Sequence, residues 1–188
     1  FGVNFMCGVS FYWSDKAPFS NRLSLSLLAT KHRGPDASGI YEYVHDDSTY
    51  IGLGHNRLSI LEVSELGNQP MHKDDNLSII FNGEIYNHKF LRNYLIELGY
   101  LFVGNSDTEV VLALYAELGI NAFSMLKGMF VIVILDKKSR TLNVVRDVIG
   151  IKPVYITKNK YGIFGCSEIK GLKLLSDTEF DIDADSVY

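Results

Sequence analysis

Four short stretches of the chain carry residue types able to do chemistry: Met6-Cys7-Gly8, His32 to Gly39 (HRGPDASG), Asn82 to Asn87 (NGEIYN) and Ser106 to Glu109 (SDTE). A cysteine offers a nucleophile, and Cys7 and Cys166 are the two present. A free thiol ionises near pH 8.5, so a working one needs help from its surroundings. Cys166 lies in an apolar stretch and reads as a small buried filler. Cys7 must be judged with its neighbours. Taken singly, the other stretches have bland readings. Arg33-Gly34-Pro35-Asp36 suits a turn, with proline setting φ and aspartate bonding nearby amides. Asn82-Gly83 after a strand suits a tight turn, and Asp107 at a helix start complements the helix dipole. The five histidines (32, 45, 55, 72, 88) form no ligand pair one helical turn apart, and there is no Cys-x-x-Cys, so the spacing proposes no metal site. His32 and His55 read as structural hydrogen-bonders.

These stretches need elements to hold them. Residues 7–12 read as a strand, and 40–44, 50–54, 57–61 and 77–81 as further strands between Gly, Asp and Asn breakers. Residues 22–31 fit either period: Leu23, Leu25 and Leu27 alternate with serines, while Leu23, Leu27 and Leu28 suit a helix. Phe90, Leu91, Tyr94, Leu95 and Leu98 share one helical face, with Asn87 as N-cap and Gly99 as terminator. Val110, Val111, Leu114, Tyr115 and Leu118 repeat the spacing, opened by a Ser106/Glu109 capping box. A shorter helical stretch follows at 121–127. The apolar run Met129 to Leu135 suits a strand covered on both faces. Strands follow at 140–146, 153–157 and 161–166, then a short helix over 168–175. Grouped strands flanking a pair of amphipathic helices predict an α+β sandwich of mostly antiparallel sheets with helices outside.

With 188 residues the chain has room for one substantial core. Lys plus Arg is 18 and Asp plus Glu is 22, a net charge of −4, which gives no electrostatic case for nucleic acid or an anionic membrane. The longest apolar run falls far short of the roughly 20 residues that span a bilayer. No basic-then-apolar leader opens the chain, and a cytoplasmic protein is the expectation. No Gly-rich phosphate loop follows a strand.

Together and in this order, the four stretches resemble the class II glutamine amidotransferases, the N-terminal-nucleophile hydrolases with a catalytic cysteine. The branch they are most similar to is glutamine-hydrolysing asparagine synthetase. The resemblance runs from Met6-Cys7-Gly8 to Ser167-Glu168-Ile169-Lys170. It takes in Gly54-His55-Asn56-Arg57-Leu58-Ser59-Ile60, Gln69-Pro70, Gly128-Met129-Phe130, Arg146-Asp147 and Gly150-Ile151-Lys152-Pro153. It implies a four-layer αββα sandwich and hydrolysis of glutamine to glutamate and ammonia. Cys7 would be the nucleophile and its own freed α-amine the proton carrier. An α-amine titrates near 7.7–8.0, which removes the need for a His/Asp relay.

By the same resemblance, the Asn82 side-chain amide and the Gly83 N–H form the oxyanion hole. Arg57 holds the glutamine α-carboxylate, Asp107 the α-ammonium, Glu84 lines the pocket, and main-chain groups of Ile60 and Leu61 complete it. Arg33 and Asp36 shape a covering loop, and Arg146-Asp147 makes an internal ion pair or turn. Residues 7–176 would be the amidotransferase domain. Residues 1–6 would be a leader or expression remnant, and the acidic 177–188 a linker towards an absent synthetase domain. No cofactor is implied within the domain; ATP and Mg²⁺ would belong to the absent part, which would receive the ammonia, and a homodimer is compatible. Two other readings stay open: a catalytically silent glutamine-binding or regulatory module, and the amidotransferase part of a sibling enzyme acting on a sugar. The chemistry needs a free amine on Cys7, whereas here Met6 precedes it, which predicts little activity for the chain as it stands.

Overall fold

A computed structural model of the chain describes residues 6–46, 48–59 and 64–181. Two antiparallel sheets stack face to face. The first has the order β2-β3-β1-β9-β8, and the second β4-β5-β6-β7. The elements are β1 (Gly8–Ser14), α1 (Ser20–Ala29), β2 (Ala37–His45), β3 (Thr49–Arg57), β4 (Met71–Lys73), β5 (Leu77–Ile85), α2 (His88–Glu97), α3 (Asp107–Leu118), β6 (Gly128–Asp136), β7 (Thr141–Arg146), β8 (Tyr155–Asn159), β9 (Gly162–Cys166) and α4 (Ile169–Ser176). The predicted αββα layering is observed. Among the described residues, no helix is long and apolar enough to cross a membrane.

The period of two in β6 explains the layering. Its side chains alternate faces, and both faces are covered. Val131, Val133 and Leu135 join Val9, Phe11, Ile51, Leu53 and Ile80 in the core between the sheets. Ile132 and Ile134 join Ile79, Leu91, Leu95 and most of α3 in a second core under α2 and α3. On the opposite side, Tyr12, Phe164 and Cys166 from the first sheet pack against Leu23 of α1 and Leu172 and Leu175 of α4. Cys166 is fully buried, with its sulfur 3.3 Å from Ser10 Oγ, as a filler should be.

Several local expectations change. Residues 20–29 form a helix, because Leu23, Ser26 and Leu27 are the buried positions and Leu25 and Leu28 are exposed; the serine–leucine alternation had no face to fill. The strands expected at 50–54 and 57–61 are replaced by one strand, β3, that runs through Gly52 and Gly54 and ends at Arg57. Gly52 has to be small there: a Cβ on it would meet the Tyr12 ring at 2.2 Å. Leu58 and Ser59 belong to no strand, and 60–61 lie outside the described residues. The helical stretch expected at 121–127 is a 3₁₀ helix over Gly119–Met125.

Asn87 sits at the start of α2 without capping it. Its side chain instead clamps the loop before β6, donating to Met125 O at 2.9 Å and accepting from Lys127 N at 2.9 Å. The Ser106 cap on α3 is present, its Oγ accepting from Glu109 N at 3.2 Å. The Glu109 carboxylate reaches further back than in a reciprocal box, accepting from Val103 N and Gly104 N at 2.8 and 3.0 Å. Either way the loop entering α3 is held by charged hydrogen bonds.

Candidate active site

One end of the sandwich gathers the chemistry-bearing residues, because antiparallel pairing brings the start of β1 against the finish of β3. Gly8 is paired with Asn56, so Cys7 and Arg57 flank the same opening. From the second sheet, Asn82 and Gly83 lie near the end of β5, and Asp107 opens α3. His55 ties the two sheets here, donating from Nε2 to Phe81 O at 3.0 Å. The imidazole is fully buried, which pushes its pKa down to about 4 and keeps it neutral. Gln69 ties β5 to α3, accepting from Phe81 N at 2.6 Å through Oε1 and donating to Thr108 Oγ1 at 3.2 Å.

A cleft of about 250 Å³ results, lined by Cys7, Arg57, Asn82, Gly83, Glu84 and Asp107, with Met6, Met129 and Lys152 beside them. That volume is below the roughly 300–1,000 Å³ of drug-sized sites and suits a small metabolite. Six of the eight residues expected to make the site therefore come together. The other two, Ile60 and Leu61, lie outside the described residues. Sequence reasoning had no role for Lys152, Gln69 or Met129. Their signal was present, since all three fall in matched motifs, but their partners are distant in the chain.

The Cys7 sulfur accepts from Leu58 N at 3.4 Å and lies 3.7 Å from Leu58 O. Burial pushes its pKa up, while the Leu58 N–H and the charges of Arg57 and Lys152 pull it back. Arg33 reaches the backbone from behind, its Nε donating to Cys7 O at 3.2 Å and its Nη1 pairing with Glu168 at 3.2 Å. It is thus a buried brace for the Cys7 backbone rather than part of a covering loop. Asp36 does shape the loop beyond Arg57, accepting from Ser59 N at 2.7 Å. His32 bonds Glu168 at 2.8 Å, a structural contact. Arg146 and Asp147 form no ion pair with each other. Arg146 donates to Lys152 O and Gly150 O, and Asp147 accepts from Phe130, Ile151 and Lys152 N–H groups, so the pair builds a turn.

Asn82 is the cleft's least satisfied residue. It is 1% exposed, and its Nδ2 has no hydrogen-bond partner. A buried amide left without a partner costs about 1–3 kcal/mol, so its retention calls for an explanation. Gly83 beside it has φ +157, and a Cβ there would meet Met129 O at 2.1 Å, so this backbone admits no side chain. Arg57 Nη1 donates to Ser64 O at 2.9 Å and to Asn68 Oδ1 at 2.6 Å. Asp107 accepts from Ile85 N at 3.0 Å. Burial pushes its carboxyl up, partly offset by the Ile85 N–H and the nearby His88. Both charged groups are held in place by backbone before any ligand arrives, which is preorganisation. Among the described residues, no group of three or more His, Cys, Asp or Glu side chains could hold a metal ion.

Comparison with known proteins gives concordant findings. A family model described as a glutamine amidotransferase domain matches residues 6–188. An asparagine synthetase (glutamine-hydrolyzing) 1 of Bacillus subtilis is 43% identical over 157 residues, covering 83% of this chain and 24% of that protein. A putative asparagine synthetase (glutamine-hydrolyzing) 2 of Methanocaldococcus jannaschii is 37% identical over 186 residues, covering 89% and 35%. The chain thus spans about a quarter to a third of the length of these curated relatives. A glutamine phosphoribosylpyrophosphate amidotransferase structure from B. subtilis superposes with a TM-score of 0.73 at 22% identity, covering 90% of this chain and 44% of that one; it shares the fold.

Proposed function

The chain belongs to the glutamine amidotransferase family, and from that membership we propose that its cleft hydrolyses the side-chain amide of glutamine to glutamate and ammonia. The observation that carries the reading is the unpartnered, buried Asn82 amide in the same cleft as Cys7. An oxyanion donor lowers the barrier as far as it bonds the developing charge more strongly than its partner at rest, and an amide that no protein group occupies is free to do so. Arg57 would hold the substrate α-carboxylate, where a planar guanidinium can form two parallel bonds. Asp107 would hold the α-ammonium, Glu84 would line the wall, and Gly83 would supply its N–H to the oxyanion.

In the reaction, the Cys7 sulfur attacks the amide carbon and the thiol proton passes to the Cys7 α-amine. Collapse of the tetrahedral adduct breaks the C–N bond, and the amine delivers its proton to the departing ammonia. Water, deprotonated by the same amine, then cleaves the γ-glutamyl thioester and restores the thiol. This scheme needs the Cys7 nitrogen to be a free amine, whereas an amide nitrogen bonded to Met6 has no basic lone pair. We therefore propose that the chain works after cleavage before Cys7. Ammonia release should be measured for the chain as it stands and for one beginning at Cys7. Activity is expected in the second and at least about a hundredfold less in the first; equal rates would overturn the amine-as-base scheme.

By likeness to relatives named asparagine synthetases, several times longer than this chain, we place the ammonia acceptor, ATP and Mg²⁺ with a C-terminal synthetase domain of the same protein. The glutaminase half itself would need no cofactor.

A further inference from the structure

Lys152 is the cleft residue that the proposed scheme leaves without a task. It follows β7 and the 147–151 turn, is 7% exposed, and lines the cleft with Cys7 and Glu84. Its backbone is locked: its N–H donates to Asp147 at 3.3 Å, and its carbonyl accepts from Arg146 at 2.6 Å. Its ammonium donates to the sulfur of Met6 at 3.2 Å, the residue whose carbonyl acylates the Cys7 nitrogen. A thioether is a weak, neutral acceptor. Among the described residues, Lys152 forms no ion pair with a carboxylate. A lysine this buried and unneutralised is rare. Burial pulls its pKa down, while the charges of Glu84, Cys7 and Asp147 hold it up.

Three cations surround Cys7. Arg33 pairs with Glu168 at 3.2 Å and aims its Nε at the Cys7 carbonyl rather than the sulfur. Arg57 pulls the Cys7 thiol down in the empty cleft, but on the reading above a bound α-carboxylate would neutralise it just when the nucleophile is needed. Lys152 is then the one whose charge still acts on the nucleophile. Of the anions, Glu84 lines the same cleft and acts on Lys152 without closing an ion pair. Asp147 acts on it from the turn while accepting the Phe130, Ile151 and Lys152 N–H groups. Asp107 lies on α3, where the substrate ammonium would neutralise it. His88 acts on Asp107, and Glu168 is taken up by His32, Arg33 and Lys170.

We propose that Lys152 is a positioning residue acting through Cys7: its buried ammonium favours the thiolate of the nucleophile and, once the Cys7 nitrogen is a free amine, keeps that amine unprotonated and able to accept the thiol proton. Both effects follow from one charge. A neighbouring cation stabilises an anion and opposes a second cation. Loss of the Met6 side chain on cleavage would also free the lysine's hydrogen-bonding head towards the new amine. The inference rests on the glutaminase reading for its purpose but not for its test.

The test is the pH dependence of Cys7 alkylation by iodoacetamide, followed by mass spectrometry in the full chain, for wild type, Lys152→Met and Lys152→Arg. Alkylation needs no turnover, so it stands apart from the glutamine assay, whose failure would strike the proposed function instead. A nearby charge is worth on the order of tenfold or more in ionisation. Lys152→Met should slow alkylation about tenfold at pH 7 and move the midpoint to higher pH, and Lys152→Arg should restore most of it. In the chain beginning at Cys7, Lys152→Met should also move the acid limb of kcat/KM to higher pH. If Lys152→Met fails to fold, Lys152→Gln, which keeps a polar head, replaces it. A folded neutral variant with the wild-type alkylation midpoint overturns the proposal.

Discussion

Replacing Asn82 with leucine should move stability and turnover in opposite directions. The amide is 1% exposed and its Nδ2 lacks a partner, so the folded resting protein bears nearly the full desolvation cost of that group, about 1–3 kcal/mol. Leucine has a similar branched outline with no donor to satisfy. Folding should therefore be unchanged or gain up to about 2 kcal/mol, read as a higher urea midpoint at constant m. In the transition state the same change removes one oxyanion donor, worth about 10²–10³ in kcat, or roughly 3–4 kcal/mol. Because the donor meets charge that develops only during attack, kcat should fall far more than KM changes. The assay is ammonia release at saturating glutamine by the chain beginning at Cys7. Turnover within tenfold of wild type would refute the oxyanion role. A stability loss above about 2 kcal/mol would show that the amide has a structural partner, and the argument from its solitude would fail.

Two further outcomes follow from the same end of the sandwich. Gly83→Ala should cost about 3 kcal/mol or more in urea unfolding, because its Cβ would lie 2.1 Å from Met129 O and 2.7 Å from Phe130 Cα, and backbone cannot rotate away; a melting temperature within about 2 °C of wild type would contradict this. His55 should make the protein acid-sensitive. The unfolded chain takes up its proton near pH 6.5, the folded one only at about 4, so its contribution is intact above 6.5 and lost as pH falls to 4. At about 1.4 kcal/mol per pH unit the loss is on the order of 3 kcal/mol. His55→Gln should flatten the urea midpoint across that interval, and an unaltered slope would sink the assignment.

Much of the architecture could be read before any coordinates. The continuous apolar run of β6 announced a strand covered twice, and Ser106 with Glu109 announced the start of α3, because both signals are local and both elements are deeply buried. Cys7, Arg57, Asn82, Gly83, Glu84 and Asp107 were readable through their motifs, and the fold does bring them to one cleft. Harder to read was whatever depends on a partner far along the chain. The need for small residues at Gly52 and Gly54 could not be read, because the aromatic ring and the helix that impose it belong to β1 and α1. Asn87 had the residue type of a cap, but its side chain had a better offer from the loop at 125–127. Lys152 stood in a matched motif without a role, since its depth depends on Met6 and on the turn built around Asp147.

The placement of β1 has a consequence for when the surroundings of Cys7 are completed. This first strand is not at an edge: it lies between β3 and β9, and Val9 is bonded to Ser167 through both its N–H and its carbonyl, 158 positions away. On a translating ribosome the first strand must therefore wait, unmatched on one flank, until nearly the whole domain has been made. The thiol emerges early and gains its surroundings late, so a partly synthesised chain carries Cys7 without the burial and neighbouring charges that act on it in the folded domain.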